Sequence, residues 1–142
     1  MANKSSFYDT LRKETFYSRE EIVAKITDDY IRGLIEGEGC FGNMRDSRDG
    51  NRIPAFILKM HVRDKELIEA IRDYLNLPDR VYEYRHAGRH FALLQVRDVG
   101  SLKNKIIPLF QNRLLGFKGT QFYAWLKEYP YLNSLNNRDS SD

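Results

Sequence analysis

The spacing of apolar residues changes period several times along the chain, and each change predicts an element. Ser18-Arg19-Glu20-Glu21 has the form of a capping box, serine followed three residues later by glutamate, and opens a short helix through Ile22, Val23 and Ile26. Thr27 or Asp28 can cap the next helix, and Asp28 and Asp29 suit its positive end. Ile31, Leu34, Ile35 and Glu38 then lie along one side at i, i+3, i+4 and i+7, with Gly39 placed as a C′ residue. After Gly39 the period falls to two. Phe41 to Arg45 reads as a strand, and Asp46-Ser47-Arg48-Asp49-Gly50-Asn51 as a polar turn. From Ala55 to Arg63, Phe56, Leu58, Met60 and Val62 face one way while Ile57, Lys59, His61 and Arg63 face the other.

The second half repeats the alternation of helix and hairpin. Asp64 can cap a helix whose apolar stripe is Leu67, Ile68, Ile71 and Leu75, and Asn76 to Asp79 is a turn. Arg80 to His86 and His90 to Arg97 read as a hairpin around Ala87-Gly88. Asp98 begins another helix, with Leu102, Ile106, Leu109 and Phe110 facing in and Pro108 late in it. Leu114 to Lys118 is a linker containing Gly116, and Gln121 to Tyr129 a final amphipathic helix. The predicted class is therefore α+β: an αββαββα order with one four-stranded antiparallel sheet, helices on one face and the face bearing Lys59, His61 and Arg63 left open. The organisation expected is an N-terminal arm and short helix over 1–27, a main domain over 28–130 and a disordered tail over 131–142.

Composition narrows the picture a little. With 142 residues, one domain is the default, and 42% hydrophobic residues suffice for a core. A net charge of +3 is weak support for a polyanionic partner. The polar start, Met1 to Tyr8, gives no sign of a signal peptide, and no apolar run approaches the roughly 18 residues of a membrane span. The single Cys40 excludes a disulfide framework and a cysteine-rich zinc site, and reads as a small buried residue. His61, His86 and His90 lack zinc spacing. The expected setting is intracellular, with no membrane partner.

The chemistry concentrates in Ile31-Arg32-Gly33-Leu34-Ile35-Glu36-Gly37-Glu38-Gly39-Cys40-Phe41. Gly33 and Gly37 each cost about 1 kcal/mol against Ala inside a helix. Glycines four apart allow two helix backbones to approach closely. Glu36 and Glu38 stand in the last turn, where the helix dipole disfavours negative charge. Both carboxylates become favourable there if a hard cation binds, because oxygen ligands suit Mg²⁺ or Ca²⁺ and the final helix carbonyls have no intrahelical partner. Glu38 is the candidate metal ligand, with the Gly37 carbonyl as a second. Glu36 lies roughly 200° around the helix from it and is expected to serve as a salt bridge or cap.

The same run resembles the signature of the LAGLIDADG homing endonucleases. Ile31 to Gly39 matches that nine-residue motif position by position, with Arg32 in place of Ala and Glu in place of both Asp; Cys40 and Phe41 fit the small residue and aromatic that often follow. The similarity extends from about Asp28 to Tyr129. Phe56-Ile-Leu-Lys-Met-His-Val-Arg-Asp-Lys-Glu-Leu-Ile is similar to the family's second strand and helix. Ile106-Ile107-Pro108-Leu109-Phe110 with Leu115-Gly116-Phe117-Lys118 is similar to its later signature.

The resemblance implies a saddle-shaped sheet over the DNA major groove, with motif helices at the interface of two αββαββα units. It implies metal binding at Glu38 and an active-site lysine at Lys118. Arg63 joins them as a candidate catalytic residue. One motif copy implies a two-fold homodimer that crosses the motif helix with its own copy through Tyr30, Ile31, Gly33, Leu34 and Gly37. Two Glu38 carboxylates would then share metal, of the kind that positions water for in-line attack on a phosphodiester.

Mg²⁺ is the expected cofactor, with Mn²⁺ able to substitute and Ca²⁺ binding without supporting cleavage. Base readout is expected from Lys59, His61, Arg63, Tyr82, Tyr84 and Gln95, with Arg85, Arg89 and Arg97 as further candidates and Arg48 and Arg52 on phosphates. The implied activity is a metal-dependent double-strand break at a long pseudo-palindromic site in double-stranded DNA. The alternatives are an intron RNA maturase or a cleavage-inactive DNA binder on the same scaffold, and an unrelated α+β interaction module. The expected place is cytoplasm or an organelle matrix holding the intron-bearing DNA.

Overall fold

The computed structural model describes residues 17–133. Residues 1–16 and 134–142, on which most of the expected arm and tail fall, lie outside the described residues. Helix α1 (Arg19–Lys25) opens on the predicted capping box: Ser18 Oγ accepts from the Glu21 amide at 3.2 Å and the Glu21 carboxylate accepts from the Ser18 amide at 3.0 Å. Helix α2 (Asp28–Glu38) is capped by Thr27, whose hydroxyl accepts from the Tyr30 amide.

At Gly39 the structure departs from the expected left-handed cap. Its φ is −88° and ψ 169°, so the chain leaves the helix extended and passes directly into β1 (Gly39–Arg45). Glycine is needed there for space. A Cβ at this position would lie 2.5 Å from Ile35 Cγ2 and 3.2 Å from Ile35 Cα.

Strand β2 (Arg52–His61) returns antiparallel to β1, and a 3₁₀ turn over Val62–Asp64 leads into α3 (Lys65–Tyr74). Asp64 occupies the N-cap position of α3 without a side-chain cap bond, because the 3₁₀ turn already feeds the helix. Strands β3 (Tyr82–His86) and β4 (Arg89–Val96) form the predicted hairpin, and the sheet order is β1-β2-β4-β3, every pair antiparallel.

The hairpin turns on two residues with positive φ, Ala87 at 51° and Gly88 at 78°, the sign pattern of a type I′ turn. Alanine is strained there by its Cβ. Ala87→Gly is therefore expected to stabilise the protein by about 0.5–1 kcal/mol, read as a higher urea midpoint with unchanged slope. An unchanged or lower midpoint would contradict this account of the turn.

Past β4, residues 99–110 form one helical run with a wide middle. Asp98 caps α4 (Val99–Ser101) by accepting from the Ser101 amide at 2.9 Å; Leu102–Ile106 is a π segment, and α5 (Ile107–Phe110) follows. Pro108 explains the widening, since it has no N–H and its ring crowds the carbonyl one turn earlier. Helix α6 (Phe117–Glu128) begins four residues before the sequence pattern predicts, and a 3₁₀ turn over Pro130–Asn133 with buried Leu132 carries the folded unit past residue 130.

All helices with a core stripe pack on one face of the sheet. Phe41, Phe56, Leu58, Ala92, Leu94 and Val96 meet Ile31 and Ile35 of α2, Ile68 and Ile71 of α3, and Leu102, Ile106, Phe110, Phe122 and Trp125. Phe41 is the hub, its ring 4.9–5.6 Å from those of Phe56, Phe110, Phe122 and Trp125. The third residue after the motif helix is thus locked into the centre of the core, whereas Cys40, expected to be buried, is half-buried on the other face of the sheet beside Ile57.

Candidate functional site

Glu38 is the last residue of α2 and is exposed. The lysine singled out from the sequence arrives at the same helix end: Lys118 Nζ donates to the Gly39 carbonyl at 2.6 Å. Lys118 is not in a linker. It sits in the first turn of α6, one residue past Phe117.

That helix start has no capping side chain of its own, since its N-cap is Gly116. Glu36 supplies one from across the fold. Its carboxylate accepts from the Leu115 amide at 2.6 Å and from the Gly116 amide at 3.1 Å. Negative charge is favourable at a helix N-terminus, so Glu36 offsets its own poor position at the end of α2 by capping α6. The capping role expected for it is what the geometry holds. A Cβ on Gly116 would stand 3.2 Å from Glu36 Oε1, so a side chain there would press on the carboxylate.

Two further side chains of α6 bind the strand that follows the motif. Gln121 Oε1 accepts from the Phe41 amide at 3.3 Å, and Trp125 Nε1 donates to the Gly42 carbonyl at 2.7 Å. Lys118, Gln121 and Trp125 fall at i, i+3 and i+7, one face of the helix. They cover β1, an edge strand whose polar groups would otherwise be open. Sequence reading missed Gln121 and Trp125 in this role. The only signal was their spacing from Lys118.

The opposite side of α2 is bare. A Cβ added at Gly33 or Gly37 would meet nothing within 4 Å. Tyr30, 47% exposed, stands beside this strip, and half-buried Leu34 packs against the core. Ile31 requires correction: it is fully buried in the core of its own chain and is unavailable to an interface.

Among the described residues, no three His, Cys, Asp or Glu side chains gather as a metal site. With Glu36 engaged by the Leu115 and Gly116 amides, one chain offers at this helix end the Glu38 carboxylate plus carbonyls of the last turn. These are hard oxygen donors that fit a divalent cation of the Mg²⁺ class only when further oxygens come from outside the chain.

The open sheet face begins at this end. Register sets cross-strand rows: Cys40, Ile57 and Gln95; then Lys59, Leu93 and Tyr82; then His61, Phe91 and Tyr84. No strand position of that face carries Asp or Glu. The Lys59 ammonium lies 4.9 Å from the Phe91 ring centre, and the Tyr84 ring 5.3 Å from it. Phe91 was missed as part of this surface, although it shares the alternation of Gln95. His61 Nδ1 accepts from the Arg63 amide at 3.1 Å, which places the neutral ring's proton on Nε2 as a donor.

The predicted arginines divide. Arg63 is exposed in the 3₁₀ turn over Val62–Asp64 rather than at a strand end. Arg89 shares the open face at the hairpin tip, paired with His86, and Arg97 follows β4 beside Met44. Arg85 is a correction, because the register puts it with Glu83 on the opposite face from Tyr82 and Tyr84. Glu83 there accepts from Lys65 at 2.9 Å. Arg52 also falls on the helix side and donates to Asn43 Oδ1 at 3.1 Å.

Arg48 is held in the first turn by Asp46, at 2.9 and 3.2 Å. Hydrogen bonds from the Arg48 side chain and backbone hold the Asp46 carboxyl down at about 2. A folded-state value below the unfolded one stabilises above the unfolded value and is lost as pH falls through the folded one. The contribution of Asp46 should thus fade between pH about 4 and about 2. Wild type and Asp46→Asn are expected to differ in urea midpoint at neutral pH and to converge near pH about 2. A constant difference would count against it.

No helix among the described residues is long and apolar enough to cross a membrane. The family model described as LAGLIDADG endonuclease matches residues 31–129. A curated relative, "Probable intron-encoded DNA endonuclease 1" of Mycosarcoma maydis, is 29% identical over 104 residues, 73% of this chain and 35% of that protein. The chain therefore spans about a third of that relative's length. Among solved structures, the homing endonuclease I-TnaI is 25% identical with a TM-score of 0.58, covering 72% of this chain and 70% of its own. The I-LtrWI LAGLIDADG homing endonuclease bound to target DNA is 26% identical with a TM-score of 0.65, covering 92% of this chain and 45% of its own.

Proposed function

The chain belongs to the LAGLIDADG endonuclease family, and on that premise we propose that it is a site-specific DNA homing endonuclease, acting as a metal-dependent homodimer at a long, nearly palindromic site. The observation that carries this reading is the continuity of two surfaces. An acid-free sheet face with Lys59, His61, Arg89, Arg97, Gln95 and three exposed or half-buried aromatics runs toward the helix end that holds Glu38 and Lys118. A two-stranded ribbon fits the major groove, and the absence of carboxylates removes repulsion from phosphates. Gln95 suits adenine and Lys59 guanine, while Arg48 in its turn suits a phosphate.

The homodimer reading rests on stoichiometry. One chain has one exposed carboxylate at the helix end, and its glycine strip is open. Crossing two copies at Gly33 and Gly37 supplies the close helix approach and brings a second Glu38. Glu38 with the Gly37 carbonyl would hold Mg²⁺, which supplies charge stabilisation at the phosphoryl group and a more acidic water. Lys118, fixed by the Gly39 carbonyl, would place positive charge where the phosphate becomes more negative during attack. Glu36 acts at one remove, by fixing the turn from which Lys118 projects.

Lys118→Met should lower the single-turnover cleavage rate about 100–1000-fold, with DNA affinity within a few-fold of wild type. A loss confined to affinity would make Lys118 a phosphate contact instead. The reading as a whole is tested by incubating a randomised-site plasmid library with Mg²⁺, with Ca²⁺ and with EDTA, and sequencing the broken ends. Mg²⁺-dependent cuts at one two-fold-symmetric sequence are expected. Binding without cuts under every condition would overturn the endonuclease reading in favour of a binder on this scaffold.

A further inference from the structure

Leu115 and Phe117 are the most exposed large apolar side chains among the described residues, at 95% and 82%. They are not on a loose loop. The backbone between them is pinned to the motif helix by Glu36, through the Leu115 and Gly116 amides at 2.6 and 3.1 Å. Two large apolar side chains projecting into water side by side from a hydrogen-bonded backbone make a candidate contact surface.

Their position points to what covers them. Glu36 lies one residue before Gly37 and three after Gly33, on the flank of the bare strip of α2. The 11 residues of α2 span about 16 Å, and a glycine strip about 10 Å wide provides far less than the ~800 Å² per partner of a stable interface. The shortfall has to come from side chains beside the strip. Leu115 and Phe117 are carried on the backbone that Glu36 ties to the flank of this strip, and the corresponding flank of a second copy would present the same pair.

We propose that Leu115 and Phe117 form a collar that grips the motif helix of a second copy of this chain, so that the dimer interface is the glycine strip plus this collar. This rests on the homodimer reading above. It assigns the binding strength of the dimer to two residues outside the motif, and it ties the interface to the active site, because one carboxylate, Glu36, sets both the collar and the start of the helix bearing Lys118.

The test is sedimentation equilibrium of the full chain, as wild type and as the Leu115→Ser, Phe117→Ser double variant, with far-UV circular dichroism to establish folding. Both side chains are exposed in the single chain, so the variant should fold normally. Its dimer should be weaker about 100-fold or more, since each interface loses two copies of each apolar side chain. A folded variant that dimerises as tightly as a dimeric wild type overturns the collar and leaves the homodimer reading standing. A monomeric wild type overturns both.

A second measurement works even if the variant misfolds. A benzophenone side chain at position 117 should cross-link covalently to the 30–37 segment of another copy on irradiation. Cross-linking to DNA alone, in a dimer held by the glycine strip, overturns the collar as a protein interface.

Discussion

Glu38→Gln should abolish cleavage, lowering the single-turnover rate at least about 1000-fold, while the fold, the dimer and DNA binding survive. The substitution keeps the shape of the side chain and removes only its charge. Glu38 is exposed at the end of α2 and contributes nothing to the core, so stability should change by no more than about 0.5 kcal/mol. Removing a negative charge from a surface proposed to meet phosphates should leave affinity equal or higher. On the proposed reading, what is lost is the carboxylate that would hold a divalent cation, and with it the charge stabilisation such an ion would supply. Cleavage in Mg²⁺ and fluorescence anisotropy in Ca²⁺, on the same duplex, separate the two effects. Retention of Mg²⁺-dependent cleavage within tenfold of wild type would remove Glu38 as the catalytic ligand.

Phe41→Ala should fail in the opposite way, by unfolding. The ring is 4% exposed and lies against four other aromatic rings within 5.6 Å. Truncating a buried Phe costs about 3–5 kcal/mol through lost transfer energy and the cavity left behind. That is a large share of the roughly 5–15 kcal/mol that holds a domain together. Activity should fall with the folded fraction, and the urea midpoint should drop steeply. Phe41→Leu, which refills most of the volume, should recover more than half the loss. A cost below about 1.5 kcal/mol for the alanine variant would mean that the aromatic cluster is not the centre of the core. The functional consequence is positional. Phe41 stands three residues after Glu38, so the packing that fixes its ring also fixes the end of the motif helix and the carbonyl to which Lys118 is bound.

The two variants divide chemistry from architecture, and a similar division runs through the sequence reading. The αββαββα order, the sheet with one covered and one open face, the capping box at Ser18 and the hairpin at Ala87-Gly88 were legible because each depends on neighbours within about ten residues. The motif helix was legible, and Glu38 stood out as a candidate, because glycine and glutamate there contradict local propensity. Element ends were less so. Helix α6 starts at Phe117 without a capping residue in its own sequence, because the cap is Glu36, 79 and 80 residues away from the amides it holds.

The sequence by itself determined the period of the motif helix, of α3 and of the four strands, the alternation that leaves Lys59 and His61 on one face, and the presence of Glu38 and Lys118 in their positions along the chain. These are local properties of the covalent chain. Tertiary structure alone decided that Lys118 meets Gly39, that Ile31 belongs to the core and Gly33 to the surface, that Arg85 turns away from Tyr82 and Tyr84, and that Leu115 and Phe117 stand exposed to water. The physical reason is the same in each case. Strand register and helix docking are set by the sum of many distant apolar contacts, and a shift of one residue in register sends every side chain of a strand to the other face.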